Sequence, residues 1–557
     1  MKRTALIILL ALANIIGFAQ EEEMIDVVVL MKSQYNRTEL CRKANVYASR
    51  AERRDFVVNE LKAFTEASQH DLRLTLDALE HQGLVSKTCS LWSANALCFS
   101  AKESVIASLS ERNDIEYIGP IKQYQMIPEV EVPRAASASR EITPNLTQVN
   151  ADQVWELGYT GAGVVIAVVD SGVNYDHLDL ADHLWDGGDE FPHHGYDIVN
   201  GDDDPMDDNG HGTHVAGIVC GDGTSGSQTG VAPDATLMCV KSTAVDGFGG
   251  AVNIAGGMEW AVEHGCDVIS MSLGMAGAEI IDKEILRRTC ETVLDAGIIA
   301  AVCAGNEGLS ILQMAYPIPD NVRVPASCPP PYLDPDQLVN PGNLSCVLAI
   351  GAVDGNDVAA DFTSQGPVTW QNTEFGDYAY NPGIGLIRPD VCAPGVDIKS
   401  LDYANVSGYR LMSGTSQATP CIGGIIALML QKNPDLMPDE ICRILEETSL
   451  KLTPTKSNIT GVGRADALAA LNAVPTWTGV VEPVKSRAII YPNPSSSTFT
   501  IQCEGMRQIE VYSIDGKLMN SIYTKSPVQQ LNGLMNGTFL VKIITDDLVI
   551  VSKIVKL

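Results

Sequence analysis

At 557 residues the chain is too long for one ordinary domain, and length alone points to three or four. Its composition, 45% apolar and 19% charged, is globular and excludes a disordered chain. The net charge of −31 argues against a nucleic-acid partner, whose phosphates such a surface would repel, and reads as solubility.

The first residues, "MKRTALIILLALANIIGFAQ", place Lys2 and Arg3 before an apolar stretch and the small residues Gly17 and Ala19. They read as a secretory signal peptide over 1–19. The alternative, a membrane anchor, has too short a run and no charged stop-transfer pattern, and no other segment reaches about 18 unbroken apolar residues. Residues 24–126 read as a small α+β domain of βαββαβ order. Its strands include "MIDVVVLM", "ALCFSA" and "IEYIGPI", and it has a long amphipathic helix before the second of these. Residues 127–149 have the Pro, Ser and charge content of an exposed linker.

Over 150–475 strands and helices alternate, which predicts a mostly parallel sheet with helices on both faces. "GVVIAVVD", "CDVISMSLG" and "IIAAVCAGNEG" read as strands, and "GTHVAGIVCG", "AVNIAGGMEWAVEHG" and "EIIDKEILRRTCETVLDAG" as helices. Ligands in such sheets sit at the carboxyl ends of strands, where Asp170, Gly274 and Asn306 fall. Residues 486–557 read as a small all-β sandwich of short alternating strands. Most of the fourteen cysteines lie within apolar patterns and read as small buried hydrophobes. Cys328 and Cys346, flanking a Pro-rich loop, are the one pair suited to a bridge test.

In "GTSQATP" (414–420), followed by an apolar run of helical length, Ser416 sits at a helix start, with Pro420 read into the first turn. A helix cap and a nucleophile both explain such a serine. Nucleophilic chemistry needs a base, a carboxylate to orient it, and donors for an oxyanion. His211 in "DDNGHGTHVAG", Asp170 in "AVVDSGV" and Asn306 in "AVCAGNEG" supply those types, each at an element edge. His214, three residues from His211, reads as a packed helix histidine rather than a metal ligand, since no HExxH pattern or third ligand accompanies it. Asp202, Asp203, Asp204, Asp207 and Asp208 crowd one loop upstream of His211. They stay solvated or hold a hard cation such as a structural calcium.

The motifs "VVDSGV", "NGHGTHVAG", "MSLG", "AGNEG" and "GTSQATP", in this order, resemble the subtilisin-like serine proteases across most of 150–475. The resemblance implies that Ser416 attacks the scissile carbonyl, His211 carries the proton, Asp170 orients His211, and Asn306 with the Ser416 N–H holds the oxyanion. It also implies that Ser272, Leu273 and Gly274 pair with substrate backbone and line the first specificity pocket, with Ala304 and Gly305 opposite. No cofactor is then required for the chemistry. Gln417 replaces the family's usual methionine, and a Pro-rich insert follows "GNEG". That insert and "FTSQGPVTW" resemble the bacillopeptidase F-like branch. Glu307, beside the pocket, hints at tolerance for basic residues.

By position and βα pattern, the 24–126 domain resembles the inhibitory propeptides of these proteases, which implies a zymogen matured by a cut within 127–145. Arg134 and Arg140 are visible candidates for that cut. "YPNP" and "LMNGTFLVKI" resemble the sorting domain of proteins exported by the type IX secretion machinery. The implied protein is a secreted or surface serine endopeptidase whose partners are protein or peptide substrates, its own propeptide and that machinery. A catalytically silent peptide-binding surface protein and a triad esterase are the rival readings. The first would have no need of all three triad residues, and the second lacks the GxSxG elbow.

Overall fold

The computed structural model describes residues 23–477 and 489–556, apart from residue 48, 128–133, 137–139, 309, 330–346, 371–384, 492, 494, 496–497, 504, 515 and 546–548. The 1–19 segment and Cys346 therefore lie outside the described residues. The chain divides into two compact units, one made of the chain up to Leu40 and Arg54–Trp477, the other of Cys41–Arg53 and the C-terminal strands.

The N-terminal part has the expected βαββαβ elements, with one further short helix (Arg37–Ala44) after the first strand: β1 (Met24–Met31), α1 (Arg50–Glu80), β2 (Val85–Leu91), β3 (Ala96–Lys102), α2 (Glu103–Leu109) and β4 (Ile115–Pro120). Its antiparallel sheet runs β2-β3-β1-β4. Alternate residues Val27, Val29 and Met31, with Leu97, Phe99 and Ala101, face Leu72 and Leu76 of α1, as the two-residue period of a strand demands.

The large domain is built on β5 (Val165–Asp170), β6 (Gly195–Asp197), α3 (His211–Cys220), β7 (Thr236–Lys241), α4 (Ala251–Glu263), β8 (Val268–Met271), α5 (Ile280–Asp295), β9 (Ile299–Cys303), β10 (Leu348–Val353), β11 (Val391–Pro394) and α6 (Thr415–Lys432). The seven strands lie in the order β11-β10-β9-β8-β5-β7-β6, and every neighbouring pair is parallel. The strands read as apolar runs because both faces are covered. Ile166 and Val168 join Val215, Ile422 and Ile425 of α3 and α6 in one core. Val169, pointing the other way, meets Gly257 of α4, where an added Cβ would come within 2.9 Å of it. All strands of a parallel sheet end at one edge, so Asp170, Met271 and Cys303 close their strands on the same side of the domain.

The C-terminal unit holds two antiparallel sheets, one of three strands (Ile489–Tyr491, Phe499–Gln502, Val528–Leu531) and one of four (Met506–Ser513, Leu518–Tyr523, Gly537–Thr545, Val549–Lys556). Phe499, Ile501, Ile509, Val511, Val541 and Ile543 form its buried core. Among the described residues no helix is long and apolar enough to cross a membrane.

Ile425 is fully buried in α6. Ile425→Ala is expected to lower unfolding free energy by about 2–5 kcal/mol, read as a reduced guanidinium midpoint. An unchanged midpoint would show that α6 does not carry the core.

Candidate active site

Asp170 ends β5 and is wholly buried. Its Oδ1 lies 2.7 Å from His211 Nδ1 and accepts the Ser171 N–H at 2.8 Å. Nδ1–H is the donor toward a carboxylate, so the other ring nitrogen, Nε2, is left as the proton acceptor. His211 is the first residue of α3, after Gly210, whose φ of 100° lies in the left-handed region. A side chain at Gly210 would also meet Tyr403 Cε1 at 2.7 Å, so glycine is needed twice over.

Asp207 fixes the loop leading to His211. It accepts from Ser171 Oγ at 3.0 Å, Thr213 Oγ1 at 2.6 Å, and the N–H groups of Asn209, Gly210 and Thr213. Burial raises its carboxyl above the usual range, opposed by those hydrogen bonds. The other four acidic candidates also meet protein partners: Asp202 the Asp204 N–H, Asp203 His193, Asp204 Tyr175 Oη, and Asp208 Lys241 Nζ at 2.7 Å. Among the described residues no three His, Cys, Asp or Glu side chains gather as a metal would require. His214 is fully buried, and its Nε2 donates to the carbonyls of Ile398 and Arg410, each at 3.2 Å. Burial pushes its pKa down to about 3, so the ring is neutral and packed, as its place in the sequence indicated.

Ser416 is the second residue of α6, with Gly414 at the cap position, so the serine is not the cap. The first turn leaves its backbone N–H without an intrahelical acceptor. Pro420 is the sixth residue of the helix rather than part of its first turn, which corrects the sequence expectation. The consequence is local: residue 420 has no N–H for the carbonyl four residues back. That carbonyl, of Ser416, accepts Ser272 Oγ at 2.7 Å instead, and Ser416 Oγ lies 3.3 Å from the Ser272 carbonyl. The proline thereby opens α6 to a cross-link with the end of β8.

Asn306 follows β9. Its Oδ1 accepts from both Thr415 N and Thr415 Oγ1 at 3.0 Å, which orients the amide. Its Nδ2 then comes within 3.2 Å of where a Cβ on Gly414 would stand. Thr415 Oγ1 also accepts the Gly305 N–H at 3.1 Å, joining the two strand-end segments that carry Asn306 and Ser416. Leu273 and Ala304 are buried.

Residues Tyr124 and Gln125 pair antiparallel with Phe248 and Gly249, and the Met126 N–H donates to the Gly247 carbonyl at 2.9 Å. On the other side the Gly274 N–H donates to the Met126 carbonyl at 3.1 Å. An extended segment of the N-terminal region thus lies between 247–249 and 274. Beyond the undescribed 128–133, Arg134–Ala136 pairs with Tyr409–Leu411, the strand leading to Ser416. Arg134 and Arg140 are exposed, whereas Thr143, Asn145 and Leu146 are buried.

Glu307 is not an open basic-residue receptor. Its Oε1 accepts Arg323 Nε at 2.9 Å and Nη2 at 2.7 Å, and its Oε2 accepts Ser364 Oγ at 2.9 Å. Arg323 gave no sequence signal, being a lone arginine inside the Pro-rich insert. Thr415, Ser171 and Asp207 as organisers were likewise not legible, since their partners are distant or depend on loop shape. Cys328 is buried with a free thiol.

A model described as the subtilase family matches residues 161–465, and one described as a secretion system C-terminal sorting domain matches 489–557. The chain is 36% identical over 347 residues to serine protease AprX of Bacillus subtilis (strain 168), covering 57% of this chain and 67% of that protein. It is 32% identical over 305 residues to subtilisin DY of Bacillus licheniformis, covering 55% of this chain and 90% of that protein. Bacillopeptidase F of Bacillus subtilis (strain 168) is 29% identical over 475 residues, which is 79% of this chain and 30% of that protein's own length.

Ser272→Ala would leave the buried Ser416 carbonyl without its acceptor role filled, an expected loss of about 1–3 kcal/mol in thermal or denaturant unfolding. The loss should shrink in a Pro420→Ala background, where an N–H at 420 becomes available. Equal losses in both backgrounds would sever the link between the proline and Ser272.

Proposed function

Because the chain belongs to the subtilase family, and is a subtilisin-like serine endopeptidase carrying a type IX secretion sorting domain, we propose that it is exported as a zymogen working through Asp170, His211 and Ser416. The observation that carries the reading is the buried 2.7 Å contact between Asp170 and His211, at the strand edge where Ser416 and Asn306 also stand. A buried carboxylate against Nδ1 fixes the tautomer in which Nε2 is basic, as a serine nucleophile requires. Ser416 Oγ attacks the scissile carbonyl, and His211 takes its proton and returns it to the leaving amine. The tetrahedral oxygen is held by Asn306 Nδ2 and the Ser416 N–H. Loss of one such donor costs ~10²–10³ in turnover in subtilisin, the system in which it was measured. No cofactor enters these steps. Ser272–Gly274 supplies main-chain groups to the substrate strand, with Ala304 and Gly305 opposite. Export by the type IX machinery supplies extracellular protein or peptide substrates.

The N-terminal domain acts as inhibitor in this reading. Residues 124–126 use the 247–249 and Gly274 main-chain groups that a substrate strand would take. Further contacts hold the domain in place: Ser93 N donates to Glu259 at 2.6 Å, Ser93 Oγ meets Thr289 Oγ1 at 2.8 Å, and Tyr124 Oη donates to Asp282 at 2.5 Å. A parallel sheet forms through non-local contacts and folds slowly, which gives such a domain a second use as a folding template.

Intact mass and N-terminal sequencing of the precursor beside Ser416→Ala test the reading. The wild type is expected to shed its N-terminal domain and the variant to stay whole. Equal cutting of both would remove self-processing, and failure of the trimmed wild type to take a fluorophosphonate label would remove the nucleophile.

The interface also sets a pH dependence. Burial is the main cause that pushes the Glu259 carboxyl up to about 8, against the hydrogen bonds from Ser93. A carboxyl that titrates higher when docked takes up a proton on docking. The stabilisation is therefore full below the ordinary carboxylate range and is lost as pH rises through it toward 8. Gel filtration of the cut, fluorophosphonate-blocked complex should show the N-terminal domain leaving faster at pH 8 than at pH 5. Glu259→Gln should flatten the difference; a profile unchanged by that substitution would clear Glu259 of the effect.

A further inference from the structure

Resting on the reading of this cleft as a peptidase site, we propose that Arg323 selects the substrate: the residue that supplies the attacked carbonyl is preferred when its side chain ends in a carboxylate. Two main-chain segments flank the nucleophile. One runs from Ser272, whose carbonyl faces Ser416 Oγ, to Gly274; the other is Gly305–Asn306, tied to Thr415. The side chain next to an attacked carbonyl has to project between them. Arg323 fills the base of that space, since a Cβ on Gly274 would come within 2.9 Å of Arg323 Cβ and one on Gly305 within 2.9 Å of Arg323 Cγ.

The guanidinium is held by one edge. Nε and Nη2 both donate to Glu307 Oε1, and Ser364 Oγ holds the other Glu307 oxygen. Nη1 is turned the opposite way. It donates to Gly274 O at 2.8 Å and to two carbonyls of the N-terminal region, Gln125 at 2.8 Å and Met126 at 3.1 Å. Arg323 is 7% exposed with that region in place. Departure of residues 125–126 takes away two of the three acceptors of Nη1, leaving a sheltered, permanently charged donor aimed at the cleft.

With Gly274 O as its one remaining acceptor, Nη1 has an N–H unmet; leaving it so is costly, and a carboxylate satisfies it with a charge-assisted bond. A substrate lysine or arginine meets like charge there, while the Glu307 carboxylate that would attract it is already engaged on both oxygens. The pair as a whole is neutral, but it presents its positive end to the substrate.

The test uses the mature protein with quenched peptides that differ only in the residue before the cut bond: Glu, Asp, Gln, Leu or Lys. The Glu peptide is expected to exceed the Lys peptide in kcat/KM by about ten- to a hundredfold, the worth of a hydrogen bond to a charged group. The double variant Arg323→Ala/Glu307→Ala removes both charges and should bring the ratio toward one. Arg323→Met, which keeps the volume and leaves the Glu307 charge, should shift preference toward Lys, and it stands in should the double variant fail to fold. A wild type that cuts after Lys or Leu as well as after Glu overturns the proposal, as does an acid preference surviving both variants. Fluorophosphonate labelling of the same samples separates the two claims. Labelled protein with a flat profile sinks the selectivity alone, whereas an unlabelled wild type takes the peptidase reading with it.

Discussion

A carboxylate with no solvent contact has to be paired, and Asp170 is such a carboxylate. Its contacts with His211 Nδ1 and Ser171 N require the last residue of β5 and the first of α3 to meet, although forty residues of loop and strand separate them. Asp207 makes the meeting reproducible by gathering donors from Ser171, the approach to α3, and Thr213 within it. One buried acid thus positions His211, and a second positions the loop that leads to it.

The other half of the site is organised by α6. The chain gives up a helical hydrogen bond at Pro420 and uses the released Ser416 carbonyl to hold Ser272 at the end of β8. Thr415, one residue earlier, orients the Asn306 amide through two donors and accepts the Gly305 N–H. Two strand ends and one helix start are therefore fastened by hydrogen bonds that involve side chains of packed elements. Rigid placement of this kind is what a donor aimed at a developing charge needs.

Charge in this protein serves different ends at different depths. The excess of acidic residues lies largely where water solvates it, but Glu307, Glu259 and Asp282 are buried. Glu307 is matched by Arg323 within the large domain. Glu259 and Asp282 instead receive donors from the N-terminal region, from Ser93 and Tyr124. The first arrangement lies wholly within the large domain; the second depends on contacts with the N-terminal region.

What the sequence determined by itself is whatever short-range chemistry dictates. Apolar runs covered on both faces point to the parallel strands, alternating residues to the β-sandwich, and polar residues in glycine-containing motifs at strand ends (Asp170, Asn306) and helix starts (His211, Ser416) to the candidate site. These were legible because each motif is contiguous and its constraint is local: a left-handed glycine before a helix, a helix start beside a serine. The place of Pro420 in the helix is not legible, because helix starts depend on which donors find partners elsewhere, here Thr415 with Asn306. The engagement of Glu307 is not legible in the sequence for a related reason. Its partner, Arg323, returns from an insert whose path no periodicity describes. Which carbonyl loses its helical donor to a neighbouring strand, and which buried charge meets its opposite, are outcomes of packing between segments distant in the chain. Only the tertiary structure decides them, because the energy of a buried polar group depends on the partner brought to it and not on its neighbours in sequence.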